Sequence, residues 1–256
     1  MWSLGGFLQL ERGMDKMDFY RALSDHYDEI FPLKGPQKRF LHEYVKQESM
    51  TSVLDIGCGT GTFAIETSQT GVRVHGVDLS AEMVEISKKK AQEIGSTATF
   101  SIADMGDLSN IDEKFDGVFC LGNTLAHVSG EIELKKVLAQ FGVRGTHLLV
   151  QTVNYDRILA KQVKELPIIK TPDLTFYRNY TYRLDGMLDF NMKIEFPDSS
   201  QGVSGTNLLY PIKCDKLKKA LLETGWEVSG LWGNFDKDAW TEDSPATVLE
   251  AKRIVG

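Results

Sequence analysis

Between Thr51 and Val153 the apolar positions gather in short β-branched runs, "SVLDI", "VRVHGV", "ATFSIAD", "FDGVFCL" and "THLLVQTV", separated by stretches with helical spacing. That alternation predicts βαβ units and a parallel sheet. One helix is well marked after the second run: Ser80 is placed to cap it, Glu82 and Glu85 lie in its early turns, Lys88 to Lys90 in its late ones, and Gly95 is placed to close it. The lysine run therefore reads as a solvated helix end complementing the dipole. After Tyr155 the period changes. In "MLDFNMKIEF", Leu188, Phe190, Met192, Ile194 and Phe196 alternate with Asp189, Asn191, Lys193 and Glu195, the pattern of a half-buried antiparallel strand. With "LTFYRNYTYRL" before it and "GVSGTNLLYPI" after it, a small β meander is expected over about residues 173–212, inserted in a larger fold. A helix from Asp215 to Thr224, closed by Gly225, and two strands, "WEVSGLW" and "TVLEAKRI", would complete the sheet. The expected division is an N-terminal extension over residues 1–50 and one α/β domain over 51–256 that carries the meander.

Composition narrows the partners. The 256 residues hold 42% apolar side chains, ordinary for a chain with a real core, and 29 Lys+Arg against 36 Asp+Glu give a formal charge of -7. An acidic balance argues against a nucleic-acid or anionic membrane partner and for a small-molecule substrate, with a homo-oligomer left open. Cys58, Cys120 and Cys214 are odd in number and far apart, which suits a reducing, cytoplasmic setting better than a disulfide framework. The first residues, "MWSLGGFLQLERGMDK", lack a basic region ahead of their apolar patch and fall short of the ~20 residues of a membrane span, so neither a signal nor an anchor is expected. Met14 and Met17 are alternative translation starts.

The chemistry concentrates in "VLDIGCGTG", Val53 to Gly61. A strand that ends in Asp-x-Gly-x-Gly-x-Gly and opens a helix lets bare backbone approach a nucleotide-like ligand, because Gly57, Gly59 and Gly61 carry no Cβ. Asp78 ends the next strand roughly 20 residues on, where a carboxylate can accept from both hydroxyls of a ribose. Asp104 follows the third strand, where it can accept from an adenine amino group while Met105 packs on the ring. A dinucleotide dehydrogenase is disfavoured: its pyrophosphate cradle wants Gly-x-Gly-x-x-Gly without an adjacent anion, and Asp55 is such an anion. Asp55 suits a ligand with a positive charge nearby, such as an ammonium beside a sulfonium.

"VLDIGCGTG", "GVDLS", "IADM" and "FDGVFCLGN" resemble, in order and spacing, the cofactor motifs of class I S-adenosylmethionine-dependent methyltransferases. The resemblance implies a Rossmann-like sheet of seven strands with the last antiparallel. It implies S-adenosylmethionine as cofactor, with Asp55, Gly57, Cys58 and Gly59 around the methionine part, Asp78 on the ribose and Asp104 with Met105 at the adenine. Leu79, Met83, Leu121 and Asn123 complete the implied cofactor contacts, and Tyr20 and Tyr27 belong either to a helix folding over the cofactor or to an ordinary amphipathic helix.

A narrower resemblance, carried by "LGNTLAHV", "NYDRIL", the meander, "LLYPIKCDKLKKALLETGW" and "TEDSP", is to glycine- and sarcosine-type N-methyltransferases of small amines. In that family an Arg commonly precedes Asn-Tyr-Asp to bind the substrate carboxylate. Here the position is Val153, which puts glycine in doubt as substrate unless Arg157 or Arg178 supplies the cation. Methyl transfer from a sulfonium is an in-line displacement that asks the protein to align the partners and exclude water. No metal is needed, and His26, His42, His75, His127 and His147 form no ligand pattern. His127, Asn154 and Tyr155, at the carboxyl edge of the sheet, are the candidates for positioning the acceptor. His127 has a competing reading as a structural histidine, and Asn123 as a helix cap. Phe176, Tyr177, Tyr180 and Tyr182 would either line a cation-binding pocket or pack a core. A hydroxyl acceptor, which would need a base, and a non-catalytic binding module are the alternatives to amine methylation.

Overall fold

The structure is a computed structural model that describes Phe19, residues 21–197 and residues 202–254. Tyr20 and the two alternative start methionines lie outside the described residues. By internal contacts the chain divides into two compact units, Leu33–Ala160 with Ile212–Gly256, and Met1–Pro32 with Lys161–Pro211. The first unit takes in residues 33–50.

The larger unit is built on a seven-stranded sheet. Its strands are β1 (Ser52–Ile56), β2 (Arg73–Asp78), β3 (Thr99–Ile102), β4 (Phe115–Cys120), β5 (Gly145–Val153), β10 (Trp226–Trp232) and β11 (Ala246–Arg253), in the order β10-β11-β5-β4-β1-β2-β3. β1, β2, β3, β4 and β5 are parallel, whereas β11 runs antiparallel to both β5 and β10. This is the expected seven-stranded sheet with its last strand reversed. All five residues of β1 are buried, as the middle of a sheet covered on both faces requires. The helix after β2 runs Ala81–Glu93, and Ser80 Oγ accepts from Met83 N at 3.3 Å, so the expected cap is formed. Gly95 follows it in the left-handed region at φ 69°. Phe40, Leu41, Tyr44 and Val45, one face of the helix Gly35–Gln47, join Val53, Val74, Ala64 and Phe100 in a single core.

The smaller unit is a four-stranded antiparallel sheet in the order β6-β7-β8-β9, with β6 at Ile169–Lys170, β7 at Thr175–Tyr182, β8 at Leu188–Glu195 and β9 at Val203–Leu209. The two-residue β6 had no signal in the sequence pattern. Met192 and Ile194 point into a core with Phe176, Leu174, Phe19, Leu23 and Ile30, and Phe190 and Phe196 pack against it, so the expected apolar face of β8 is the inner one. The opposite face is polar: Asn191 donates to Asn179 Oδ1 at 3.0 Å and accepts from Thr206 at 2.9 Å. Phe176 and Tyr180 are buried, which makes them core aromatics of this unit.

Candidate active site

The site is built at the carboxyl ends of β1, β2, β3, β4 and β5, where ligands of open α/β sheets bind. The glycine loop is fastened first. Gly57 N and Cys58 N both donate to Val77 O, at 2.8 and 2.9 Å, which ties the loop to the end of β2. Gly57 sits at φ 67°, and a Cβ there would lie 2.3 Å from Thr124 Cγ2, so the loop after β4 packs directly on this glycine. Gly61, at φ 78°, meets Phe100 and Ser87 in the same way as it opens the helix Thr62–Ser68. Two of the three glycines are therefore demanded by the chain's own packing as well as by any ligand.

The acids come next. Asp55 is 2% exposed, and its Oδ2 has no hydrogen-bond partner among the described residues. Burial, and then the negative charge of Asp78, push its carboxyl up to about 7, opposed by the Ala64 backbone N–H. A buried carboxylate oxygen without a donor is costly in isolation and is relieved by a cationic ligand. Asp78 is half-buried and already accepts from Gly59 N at 2.8 Å and from Ser80 N at 2.9 Å, one bond on each oxygen. Each oxygen retains a lone pair for a further donor. Two apolar side chains beside Asp78 are left in solvent: Leu79 is 51% and Ile102, the register partner of Asp78 on β3, 50% exposed. Met83 and Met105 are half-buried and Asp104 exposed, with Asp104 Oδ1 accepting from Gly106 N at 2.8 Å. Cys58 and Leu121 are buried.

On the acceptor side the structure assigns the predicted residues a different kind of work. Asn123, at φ 70°, donates to Tyr155 Oη at 2.9 Å and accepts from Val153 N at 2.9 Å. Tyr155 and Asn154 are fully buried. Asn154 Nδ2 donates to the carbonyls of Thr241, Glu242 and Ser244 at 3.1, 3.2 and 3.0 Å, and Oδ1 accepts from Asp156 N at 3.2 Å. Asp156 Oδ2 accepts from Cys214 N at 2.8 Å, at the start of the helix Cys214–Glu223. Asn-Tyr-Asp is thus a three-armed brace holding the loop before β11, the loop after β4 and one helix. His127 ends the 3-10 turn Thr124–His127, half-buried, and burial holds its imidazole below the ordinary histidine range.

Two residues not singled out by sequence reasoning stand beside them. Thr124 is the side chain against Gly57, and Gln151 Oε1 accepts from Gly122 N at 2.9 Å. In the smaller unit, Tyr27 is half-buried with its ring 5.1 Å from that of Phe31. Arg178 there donates to Pro167 O at 2.8 Å, its guanidinium 5.7 Å from the Phe176 ring centre.

Residues 53–142, the segment from β1 to the helix before β5, match the family described as a methyltransferase domain. The chain is 29% identical over 243 residues to a glycine/sarcosine N-methyltransferase of Aphanothece halophytica, covering 92% of this chain and 90% of that one. Among solved structures it is similar in fold to a S-adenosylmethionine-dependent methyltransferase from Clostridium acetobutylicum, with TM-score 0.79, 16% identity and coverage of 92% of this chain and 99% of that one. A sugar N-methyltransferase from Streptoalloteichus shares the fold at TM-score 0.71 and 15% identity, with 99% of each chain covered. The fold is thus the one seen in S-adenosylmethionine-dependent methyltransferases, and the methyltransferase-domain match falls on its β1–β4 half. Among the described residues no helix is long and apolar enough to cross a membrane.

Proposed function

We propose that this protein transfers a methyl group from S-adenosylmethionine to the amine nitrogen of a small molecule, in the cytoplasm. The observation that carries the reading is Asp55: a buried carboxyl oxygen with no hydrogen-bond partner among the described residues, set under a glycine loop at the sheet edge. The residues present fit the cofactor. Asp55 would hold its ammonium end, Asp78 its ribose hydroxyls, and Leu79, Met83, Ile102 and Met105 its flat base, with Asp104 at the base's amino group. When bound, the cofactor supplies an electrophilic methyl on a sulfonium that is already an excellent leaving group.

The chain's own part is alignment. Thr124 packs on Gly57 and so fixes the loop after β4 against the cofactor cradle. Asn123, Asn154 and Tyr155 hold that edge rigid as positioning residues, since their side chains are already committed to the chain. His127, whose imidazole burial holds below the ordinary histidine range, would serve to position the acceptor and not to take up its proton, so the amine would enter neutral. The similarity to a glycine/sarcosine and to a sugar N-methyltransferase supports nitrogen as the acceptor atom.

Calorimetry with S-adenosylmethionine on the wild-type protein and on Asp55→Asn tests the reading. Binding by the wild type and its loss by tenfold or more in the variant are expected; equal binding by both would remove Asp55 from the site. Methyl-labelled S-adenosylmethionine with a panel of small amines then tests turnover, and binding without any labelled product would favour the non-catalytic alternative.

A further inference from the structure

Between β3 and β4 the chain crosses the sheet without a helix: apart from one isolated bridge between Asp104 and Asp107, residues 103–114 hold no regular secondary structure. Such loops in compact units are uncommon and mostly functional. This one is folded on itself. Asp104 Oδ1 accepts from Gly106 N at 2.8 Å, Asp107 N donates back to Asp104 O at 3.0 Å, and Asp107 Oδ1 accepts from Ser109 N at 3.1 Å. A Cβ on Gly106 would stand 3.3 Å from Asp104 Oδ1, so the carboxylate lies close against the loop's own backbone. Its direction is set by that backbone.

Two further side chains hold the backbone in place. Asn110 Nδ2 donates to Ile102 O at 3.0 Å and ties the end of the loop to the end of β3. Arg144, which ends the helix Glu131–Arg144, donates from Nη2 to Leu108 O at 2.8 Å. Among the described residues no other side chain from outside residues 103–111 bonds to this loop. The guanidinium is half-buried, and among the described residues its Nε has no partner and no carboxylate pairs with it. A helix end favours a cation in its last turn, but that preference does not select a loop carbonyl as the acceptor. A half-desolvated cation on one neutral acceptor adds little net stability, whereas its charge-assisted bond fixes where that acceptor stands.

We propose that Arg144, through Leu108 O, and Asn110, through Ile102 O, are positioning residues that set the Asp104 carboxylate against the amino group of the cofactor's base. This rests on the reading of Asp104 above as the acceptor for that group. A carboxylate held in register favours a base that donates and rejects one that presents an oxygen in the same place.

The test is calorimetry on the full-length protein with S-adenosylhomocysteine and S-inosylhomocysteine, the second of which carries a carbonyl oxygen where the first carries the amino group. The wild type is expected to prefer the adenine ligand by roughly tenfold or more, the scale of one charge-assisted hydrogen bond. Arg144→Met and Asn110→Ala are each expected to narrow that ratio to about threefold or less, chiefly by weakening the adenine ligand, while Arg144→Lys, which can still donate to Leu108 O, keeps most of it. Asn110 is exposed, so its replacement leaves the core untouched and one arm of the test stands even where Arg144→Met folds poorly. A ratio within about twofold of the wild type's, as when both ligands weaken equally, marks a merely structural role and overturns the proposal for that residue. A wild type without preference overturns it together with the Asp104 assignment. A wild type that binds neither ligand strikes the methyltransferase reading itself.

Discussion

At the residue scale, Asp55 links function to stability. Its folded carboxyl is pushed up to about 7, above the unfolded value of roughly 4. The native state therefore holds a proton that the unfolded chain has released at intermediate pH, and stability must fall as pH rises from about 4 through 7. The stabilisation is fully present below the unfolded pKa and lost above the folded one. Three units correspond to on the order of 4 kcal/mol for a group this buried. Urea titrations of the cofactor-free protein at pH 5 and pH 8 should show it less stable at pH 8, and Asp55→Asn should remove most of that difference. An unchanged pH dependence in the variant would place the titrating group elsewhere. Gly57 gives a second prediction. An alanine there must adopt φ 67° and overlap Thr124, so Gly57→Ala should cost about 2 kcal/mol or more in the same titration. A loss under 0.5 kcal/mol, by the general scale of surface substitutions, would mean the loop after β4 yields freely.

At the scale of elements, the Asn-Tyr-Asp brace shows what one short segment after β5 can organise. Asn154 satisfies three carbonyls of residues 241–244 from a fully buried position. Asn154→Ala would leave the Glu242 and Ser244 carbonyls without this donor, while Thr241 O keeps its bond from Ser244 N, and a loss of about 2–4 kcal/mol is expected in chemical denaturation, with cofactor affinity retained. If cofactor affinity fell while stability held, Asn154 would be a ligand contact instead of a brace. The strands were legible in the sequence because β-branched runs such as "SVLDI" and the strict alternation of "MLDFNMKIEF" report burial locally. The glycine loop and its acids were legible for the same reason, since their spacing is short. Asn154, by contrast, could be located at the sheet edge but not given its partners, which lie 87 to 90 residues along the chain. Gln151 lies inside an apolar run, and its bond from Gly122 N spans 29 residues of chain, which no local pattern reports.

At the scale of the whole molecule, the proposed place of Asp55 couples cofactor binding to its proton, and the coupling has a sign. A cation held by Asp55 favours the ionised carboxylate, so binding must be accompanied by proton release below pH 7 and must tighten as pH rises toward that value, levelling off above it. A ligand present at 100 times its Kd adds about 2.7 kcal/mol to folding stability. Because affinity grows with pH while the cofactor-free protein weakens with pH, the cofactor's stabilising effect should be small at pH 5 and large at pH 8. Thermal unfolding with and without a fixed concentration of S-adenosylmethionine at the two pH values measures this directly. The expected outcome is a Tm increment several degrees greater at pH 8 than at pH 5 in the wild type, and equal increments in Asp55→Asn. Equal increments in the wild type would show that the bound cation does not sit on Asp55, whatever the affinity. A larger increment at pH 5 would reverse the sign and require that the carboxyl be protonated to bind. Since the increment compares the protein with itself at each pH, other groups that titrate in the folded state without touching the ligand cancel, and the Asp55→Asn comparison separates the charge of Asp55 from those of Asp78 and Asp104.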